Sequence, residues 1–193
     1  MKRSILSRTL CLLAFTAIIG LGAQAQQTYA ISGIQELKVS GTSTIHDWEM
    51  VATDGITGTA NMHLESGKLT KITSLTLYFP VKSLKSGKSS MDNNAYKALL
   101  EPKNPTIKYE MTELTGITGN TIKTKGKLTI AGDTQIVPLT VTYSVNGSTL
   151  TFTGTHPIKF TQFKVSPPSA VFNTINTGDD LTLAFKTNFT KKN

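Results

Sequence analysis

One short stretch of the chain, SGTSTIHDWEM (Ser40 to Met50), gathers residue types that proteins often use for chemistry. It holds the only Trp of the sequence, Trp48, two residues after His46 and with Asp47 between them. Three kinds of site are compatible with this pattern: a catalytic site, a metal site, or part of the wall of a binding cavity. Each makes its own demands on the neighbouring sequence.

Nucleophilic catalysis is disfavoured by the residues around this stretch. The segment GTSTI resembles the start of a G-x-S-x-G nucleophile elbow, but it ends in Ile45, and the elbow requires a strand that turns sharply into a helix. On a regular strand His46 and Asp47 point to opposite faces, whereas His46 and Trp48 share a face. We expect no enzyme. The histidine and the tryptophan then either pack at a strand end or form a cavity wall with a hydrogen-bonding group.

A metal site has little support in the sequence. The histidines His46, His63 and His156 form neither an H-x-H nor an H-E-x-x-H motif. His63 alternates with apolar residues in TANMHLE and is expected to face solvent, whereas His156 shares a face with Phe152 and is expected to point inward. We therefore predict no metal site and no cofactor.

The first 25 residues have the layout of a secretory signal peptide. Lys2, Arg3 and Arg8 precede the apolar run LCLLAFTAIIGLG, which is followed by the small-residue cleavage site AQA. The run is too short for a membrane span, which needs about 20 apolar residues. We expect a signal peptide over residues 1–25, a single domain over residues 26–193, and a periplasmic or secreted protein.

Composition limits the partners of the mature chain. The only cysteine of the full sequence, Cys11, lies in the predicted leader, so no disulfide is expected in the mature protein. Loss of the three basic leader residues from a total of 20 leaves 17, all of them lysines, against 12 acidic residues. A chain without arginine lacks the planar fork that binds phosphates and guanine edges, so we predict a solvated lysine-rich surface and no nucleic-acid partner.

Most of the mature sequence alternates apolar and polar residues with a period of two, which predicts strands. The clearest runs are LTLYFPV (75–81), TIKTKGKLTI (121–130), VPLTVTYSV (137–145) and LTLAFKTNF (181–189), and shorter runs lie near 34–46, 56–65, 106–114 and 148–160. Turn signals separate the runs: SG at 66–67, GN at 119–120, GD at 132–133, NG at 146–147 and GDD at 178–180. The NG pair predicts an antiparallel hairpin of strand 136–145 with strand 148–156.

One segment, SSMDNNAYKALLEP, breaks the alternation and predicts a short helix over residues 91–101. Ser90 is the expected N-cap, Asp92 lies in the first turn, and Tyr96 and Leu99 follow at helical spacing. About eight antiparallel strands with one inserted helix favour a closed barrel or a sandwich. The interior of a small barrel is either filled by side chains or holds a ligand.

The side chains predicted to face inward form a large, mostly aromatic set. They are Leu75, Leu77, Phe79, Tyr109, Met111, Tyr143, Phe152, Phe185 and Phe189. Such a set either fills a core or lines an elongated tunnel, because ligand sites are mostly apolar and have few polar groups.

Four stretches in a fixed order resemble the YceI-like family of exported bacterial proteins, in the form common in Bacteroidota members. They are VSGTSTIHDW, YFPVKSLKSGKSSMDNNAYKALLEPKNPTIKYEM, GKLTIAGDTQIVPLTVTY and IKFTQFKVSPPSAVFNTINTGDDLTLAFKTNF. The resemblance covers nearly all of the mature chain and implies an all-β fold: an antiparallel eight-stranded lipocalin-like barrel with one short helix inserted between strands. The chain departs from the family pattern at Met91-Asp92, where an Arg-Asp pair usually stands.

The resemblance further implies an exported binding protein that carries or sequesters a long-chain apolar ligand, such as an isoprenoid, a quinone or a fatty-acid derivative. The predicted ligand-binding residues are His46, Trp48, Leu75, Leu77, Phe79, Tyr109, Met111, Tyr143, Phe152, His156, Phe172 and Phe185. The helix and the VSPPSAVFNTINTG loop are expected to cover an opening. The alternative is a non-catalytic barrel with a filled interior that binds a partner protein in the cell envelope. The sequence leaves the oligomeric state open, a homodimer included.

Overall fold

The computed structural model describes residues 26–170 and 174–192, so the predicted signal peptide and Phe172 lie outside the described residues. The strands are β1 (Gln27–Ser43), β2 (Trp48–Ala52), β3 (Thr57–Glu65), β4 (Lys68–Pro80), β5 (Leu84–Lys85), β6 (Thr106–Thr118), β7 (Thr121–Ile130), β8 (Asp133–Asn146), β9 (Thr149–Lys159), β10 (Ser169–Ala170) and β11 (Ile175–Lys191). One α-helix, α1 (Ser89–Ala98), lies between β5 and β6. Short 3₁₀ turns occupy Val81–Ser83 and Thr161–Phe163.

Eight of the described strands close into one antiparallel barrel. Their order is β11-β9-β8-β7-β6-β4-β3-β1, and β1 pairs with β11 to complete the circle. The other three strands extend this sheet: β2 pairs with the second half of β1, β5 pairs with β2, and β10 pairs with the start of β11. The prediction of an eight-stranded antiparallel barrel with one inserted helix is confirmed.

The residues that alternate in the sequence with a period of two face alternately the inside and the outside of this barrel. Strand β7 shows it most clearly, because Ile122 and Leu128 are buried while Lys123, Lys125 and Lys127 face solvent. Full burial of one such apolar side chain contributes about 1.5–3 kcal/mol. The alternation therefore stabilises both the strand and the register that keeps its lysines outside.

Tight turns close one end of the barrel, which we call the turn end. They lie at 66–67, between β3 and β4, at 119–120, between β6 and β7, and at 147–148, between β8 and β9. Ser66 and Gly67 both have positive φ angles, 49° and 74°, as a two-residue hairpin turn requires. The predicted hairpin at NG is confirmed by the pairing of Asn146 with Thr149. The opposite end carries α1 and the longer connections, and we call it the helix end.

The prediction of a strand over residues 34–46 was wrong at both ends, because β1 begins at Gln27 and ends at Ser43. The Ser43 hydroxyl donates to the carbonyl oxygen of His46 (2.7 Å) and accepts from the N–H groups of Ile45 and His46 (3.4 and 3.3 Å). Local bonds of this kind compete with strand pairing and favour a turn. His46 therefore lies in a turn over residues 44–47, and Trp48 begins a new strand.

The GDD segment at 178–180 is a bulge within β11, so the prediction of a turn there was wrong. Gly41 lies opposite Leu181 and Ser43 lies opposite Thr177. Three residues of β11 consequently face one residue of β1 between these pairs. The cause is the long pairing of β1 with β11, which continues on both sides of the extra residues and holds them in the sheet.

The helix starts earlier than predicted. Lys88 occupies the N-cap position and Ser90 lies in the first turn, so the prediction of Ser90 as the N-cap was wrong. Asp92 is in the first turn as predicted, and its Oδ1 accepts from the N–H and the hydroxyl of Ser86 (2.8 and 2.6 Å). These bonds fix the chain that enters α1, so the helix start is set by this loop. Leu100 ends the helical path with a φ of 53°.

Buried side chains form two clusters, one toward each end of the barrel. The turn-end cluster contains Tyr29, Ala60, Met62, Leu69, Ile72, Ile122, Val141, Tyr143, Leu150, Phe152 and Phe189. The helix-end cluster contains Val81, Leu99, Tyr109, Leu128, Ile130, Val137, Ile158, Phe163, Val165 and Leu181.

Candidate functional site

A cavity of about 420 Å³ lies inside the barrel and reaches the helix end. Its wall is mostly apolar, and at the helix end it includes Ile45 and His46 of the turn before β2 together with Ser90, Met91 and Asn94 of α1. The side chains therefore do not fill the interior completely. A cavity of this volume and apolar character is typical of small-molecule sites.

Aromatic rings in the wall lie against glycines of the neighbouring strands. A Cβ added at Gly154 would lie 2.6 Å from Cζ of Phe185, its direct partner across the sheet. A Cβ added at Gly126 would lie 2.4 Å from Cζ of Tyr109. Both distances are too short for a real Cβ contact. The rings occupy space that any other residue would fill, and the centre of the barrel stays open.

Trp48 belongs to the wall at the helix end. Its Nε1–H donates to the carbonyl oxygen of Thr42 (3.0 Å), and its ring covers Gly41, where an added Cβ would lie 2.6 Å from Cζ2. The ring centroid is 6.4 Å from that of Phe160. The indole thus has its polar atom satisfied by the backbone and presents carbon to the cavity.

His46 lies at the mouth of the same cavity but is exposed. Its Nδ1 is 2.7 Å from the backbone carbonyl oxygen of Asp47. This contact is with the backbone and not with the Asp47 carboxylate, so the geometry is that of a turn and not of an acid–base pair. The carboxylate of Asp47 lies in a separate shallow depression together with Glu49 and Asp180.

His156 on β9 lines the cavity and is half-buried. Burial lowers its pKa below the ordinary value of 6.5, so the neutral imidazole predominates at neutral pH. No hydrogen bond joins this ring to another residue in the described part of the chain. A neutral ring of this kind can donate or accept one hydrogen bond toward the cavity.

Few polar groups lie deeper in the wall. The Tyr109 hydroxyl is 3.2 Å from Oγ1 of Thr124, which gives each of these buried groups a partner. Burial raises the pKa of Tyr109, and the bond with Thr124 only partly opposes that rise. Thr187 is also buried in the wall. These buried groups of the described wall are neutral hydroxyls.

The charged groups of the described cavity wall are all lysines. Lys38 pairs with Glu49 (3.3 Å) and Lys159 pairs with Asp180 (2.6 Å). Lys88, at the start of α1, has no ion-pair partner among residues 26–170 and 174–192. The local charge at the mouth is therefore neutral to positive.

No group of three or more His, Cys, Asp or Glu side chains in the described ranges is arranged to hold a metal ion. Besides its lysines, the wall offers carbon, hydroxyl and amide groups, and the histidines at the mouth lie on a turn and on β9.

The segments that cover the helix end are held by specific hydrogen bonds. The Tyr96 hydroxyl of α1 donates to the carbonyl oxygen of Leu84 (2.8 Å) and accepts from Nζ of Lys85 (2.8 Å). On the other side, the Asp179 carboxylate accepts from the N–H and the hydroxyl of Thr161 (2.9 and 2.6 Å). The bulge in β11 thus anchors the connection that follows β9.

The structure places ten of the twelve predicted site residues on the wall of this cavity: His46, Trp48, Leu75, Leu77, Phe79, Tyr109, Met111, Phe152, His156 and Phe185. Tyr143 faces inward but does not line the cavity. It lies in the turn-end cluster, where its hydroxyl accepts from the N–H of Leu69 (3.1 Å). Phe172 lies outside the described residues.

Other lining residues were missed by the sequence interpretation. Among them are Met50, Val137, Ile158 and Leu181 of the strands. Their positions in the alternating runs carry the inward signal, so a complete count along each strand would have found them. The helix residues that line the mouth had no such signal. The face that α1 turns to the barrel depends on the hydrogen bonds that fix the loops on either side of it.

A family model for the YceI-like domain matches residues 24–189 of this chain. The chain belongs to the YceI-like family. No curated protein matches this YceI-like chain significantly. Within the described residues, no helix is both long and apolar enough to cross a membrane.

Solved structures share the fold of this YceI-like protein. BcnA of Burkholderia cenocepacia is 22% identical, with a TM-score of 0.62 over 79% of this chain and 95% of that one. A polyisoprenoid binding domain from Saccharophagus degradans, implicated in plant cell wall breakdown, is 10% identical, with a TM-score of 0.62 over 86% of this chain and 100% of that one. The Campylobacter jejuni YceI protein is 16% identical, with a TM-score of 0.58 over 97% and 99%.

Proposed function

We propose that this protein is an exported, non-catalytic carrier that holds one long apolar chain inside its barrel. The observation that carries the proposal is the open apolar cavity, in whose wall the Phe185 and Tyr109 rings lie against glycines. The ligand class is an isoprenoid, a quinone or a fatty-acid derivative. The isoprenoid option has support from the name of the Saccharophagus relative, which is a polyisoprenoid binding domain.

The physical basis of such binding is burial. A long hydrocarbon chain is poorly soluble in water, and each methylene that enters an apolar site gains about 0.8 kcal/mol. The polar groups at the helix end then orient a head group. His46, His156 and Lys88 are the candidates, since all of them line the mouth and none is committed to an ion pair with a described carboxylate.

Export is part of the same proposal and rests on the leader-like residues 1–25. The test is expression of the full chain, followed by cell fractionation and mass measurement of the product. We expect the protein in the periplasmic or secreted fraction, with Gln26 as its first residue. A cytoplasmic product that retains Met1–Ala25 contradicts export and leaves the binding proposal untouched.

Ligand binding is tested by native mass spectrometry of the mature protein purified without detergent, with solvent extraction of anything released. We expect one discrete apolar mass per barrel, or uptake of added isoprenoids or fatty acids by empty protein. Protein that is empty and takes up neither contradicts the carrier function. That outcome favours the alternative in which the barrel binds a partner protein.

A further inference from the structure

The cavity ends well before the turn end of the barrel, because the space beyond it is filled by side chains. Tyr29, Met62, Leu69, Tyr143 and Leu150 are all buried in the turn-end cluster, and none of them lines the cavity. The hydrogen bond from the Leu69 N–H to the Tyr143 hydroxyl (3.1 Å) joins β4 to β8 across the turn-end cluster. A ligand therefore cannot pass through the barrel.

The floor of the cavity consists of residues that belong both to its wall and to the turn-end cluster. They are Ile72, Ile122, Val141, Phe152 and Phe189. The Phe152 and Phe189 rings meet edge to face, with centroids 5.5 Å apart. Only 1% of Phe189 is exposed, so this ring is held in place by the side chains packed around it.

The volume above this floor limits the length of the chain that can be enclosed. The cavity of about 420 Å³ is closed at this floor, so a single chain can extend inward only as far as the Phe152 and Phe189 rings. Each further carbon lies outside the mouth, in water, where it gains nothing from burial.

We propose that the turn-end floor acts as a chain-length limit, so that the site selects a single fatty-acyl or isoprenoid chain that reaches from the mouth to the Phe152 and Phe189 rings and no further. This inference rests on the proposed carrier function. The tail points to the floor, since the deep wall is apolar apart from a few hydroxyls. The head group stays at the helix end, where Ser43, His46, Lys88 and Asn94 lie.

The test is a binding series of saturated fatty acids from octanoate to docosanoate. Binding is measured by displacement of the fluorescent probe N-phenyl-1-naphthylamine from the purified mature protein. We expect the affinity to rise about fourfold per added methylene until the tail reaches the floor, and then to level off within the series. An affinity that keeps rising to docosanoate overturns the length limit but leaves the carrier function intact. No binding at any length contradicts the carrier function itself, and the limit with it.

Two substitutions in the floor test its role in opposite directions. We call the chain length beyond which the affinity no longer rises the level-off point. Phe189→Ala opens the floor and is expected to increase this length by about three to four carbons, since the cavity left by the ring relaxes only partly. Val141→Phe raises the floor and is expected to move the point to shorter chains. Level-off points that stay at the wild-type length in both folded variants overturn the assignment of the floor.

A third substitution separates loss of stability from loss of the floor. Val81→Ala also removes buried carbon, but Val81 lies in the helix-end cluster and does not line the cavity. Its level-off point is expected to stay at the wild-type length. Circular dichroism confirms folding of each variant. If Phe189→Ala does not fold, Val141→Phe decides the matter alone, and an unchanged level-off point there overturns the proposal.

Discussion

Phe185 on β11 lies directly across the sheet from Gly154 on β9, and its ring occupies the space that a Cβ at position 154 would need. The separation is 2.6 Å from Cζ, whereas ordinary contacts of a Cβ lie at 3.4–4 Å. The ring is thereby held against the wall. The capacity of the cavity thus depends on a residue that has no side chain.

Substitution of this glycine is expected to remove ligand binding while the barrel remains folded. In Gly154→Val the new side chain displaces the Phe185 ring toward the lumen, so the affinity for an apolar chain should fall at least tenfold. Valine suits a strand, so the far-ultraviolet circular dichroism should keep its strand signal. Fluorescent-probe displacement measures the affinity.

The matched control is Gly116→Val on β6. A Cβ at Gly116 meets no atom within 4 Å, so this variant tests valine at a strand glycine with no ring above it. Its affinity should equal that of the wild type. Equal affinity in Gly154→Val, or equal loss in both variants, contradicts the role of the Phe185–Gly154 contact.

Acidification is expected to weaken both the fold and ligand binding through His156. Burial lowers the folded-state pKa of His156 below 6.5, so the unfolded chain takes up this proton first as the pH falls. Stability from the neutral ring is present above pH 6.5 and is lost as the pH falls from there through the lowered pKa. A ligand excludes more water from the ring, so its affinity should fall over the same interval.

Urea unfolding and probe displacement between pH 8 and pH 5 measure these two effects. In His156→Gln the component due to this ring should disappear from both curves. His63→Gln serves as the control, because His63 does not line the cavity and should leave the His156 component in place. A His156→Gln protein with the wild-type pH dependence contradicts the assignment.

Asp92 is expected to stabilise the entrance to α1. Burial tends to raise its pKa, but hydrogen bonds from Ser86 and the charge of Lys85 outweigh burial and lower the pKa below 3.8. Asp92→Asn weakens these bonds and should reduce the free energy of unfolding by about 1–2 kcal/mol at pH 7. The contribution is complete above pH 3.8 and is lost as the pH falls through the lowered value, so the two proteins should converge in acid.

Thermal unfolding of Asp92→Asn at pH 7 and pH 3 is the measurement. Asp47→Asn removes an exposed carboxylate from another loop and should leave the unfolding temperature at pH 7 unchanged. A destabilisation of Asp92→Asn that is as large at pH 3 as at pH 7 argues against a charged acceptor at this position.

Trp48 should report the orientation of the ligand, because it is the only Trp of the chain and lies in the wall at the helix end. A bromine atom near the head of a bound fatty acid is expected to quench its fluorescence more strongly than a bromine at the tail. Comparison of 2-bromo and terminally brominated tetradecanoate tests this. Stronger quenching by the tail bromine means that the chain binds in the reverse direction.

Much of the barrel was predictable from the sequence, because its determinants are local. The alternation in VPLTVTYSV decides which side chains of β8 face inward, and the Gly-containing pairs at 66–67, 119–120 and 146–147 mark turns that the structure contains. Two of the failures were also local. At Ser43 a hydroxyl closes a turn in place of strand, and at Asp92 a carboxylate binds the preceding loop and moves the start of the helix.

By itself, the sequence determined the class of fold and which residues of most strands face the barrel interior. Both follow from the two-residue period and from turn chemistry. Only the tertiary structure decided that the interior stays open and where it ends. Gly154 meets Phe185, and Leu69 meets Tyr143, through pairings and contacts between strands that are distant along the chain. The pairing register of the whole barrel determines these two contacts, and no single segment of the sequence carries that information.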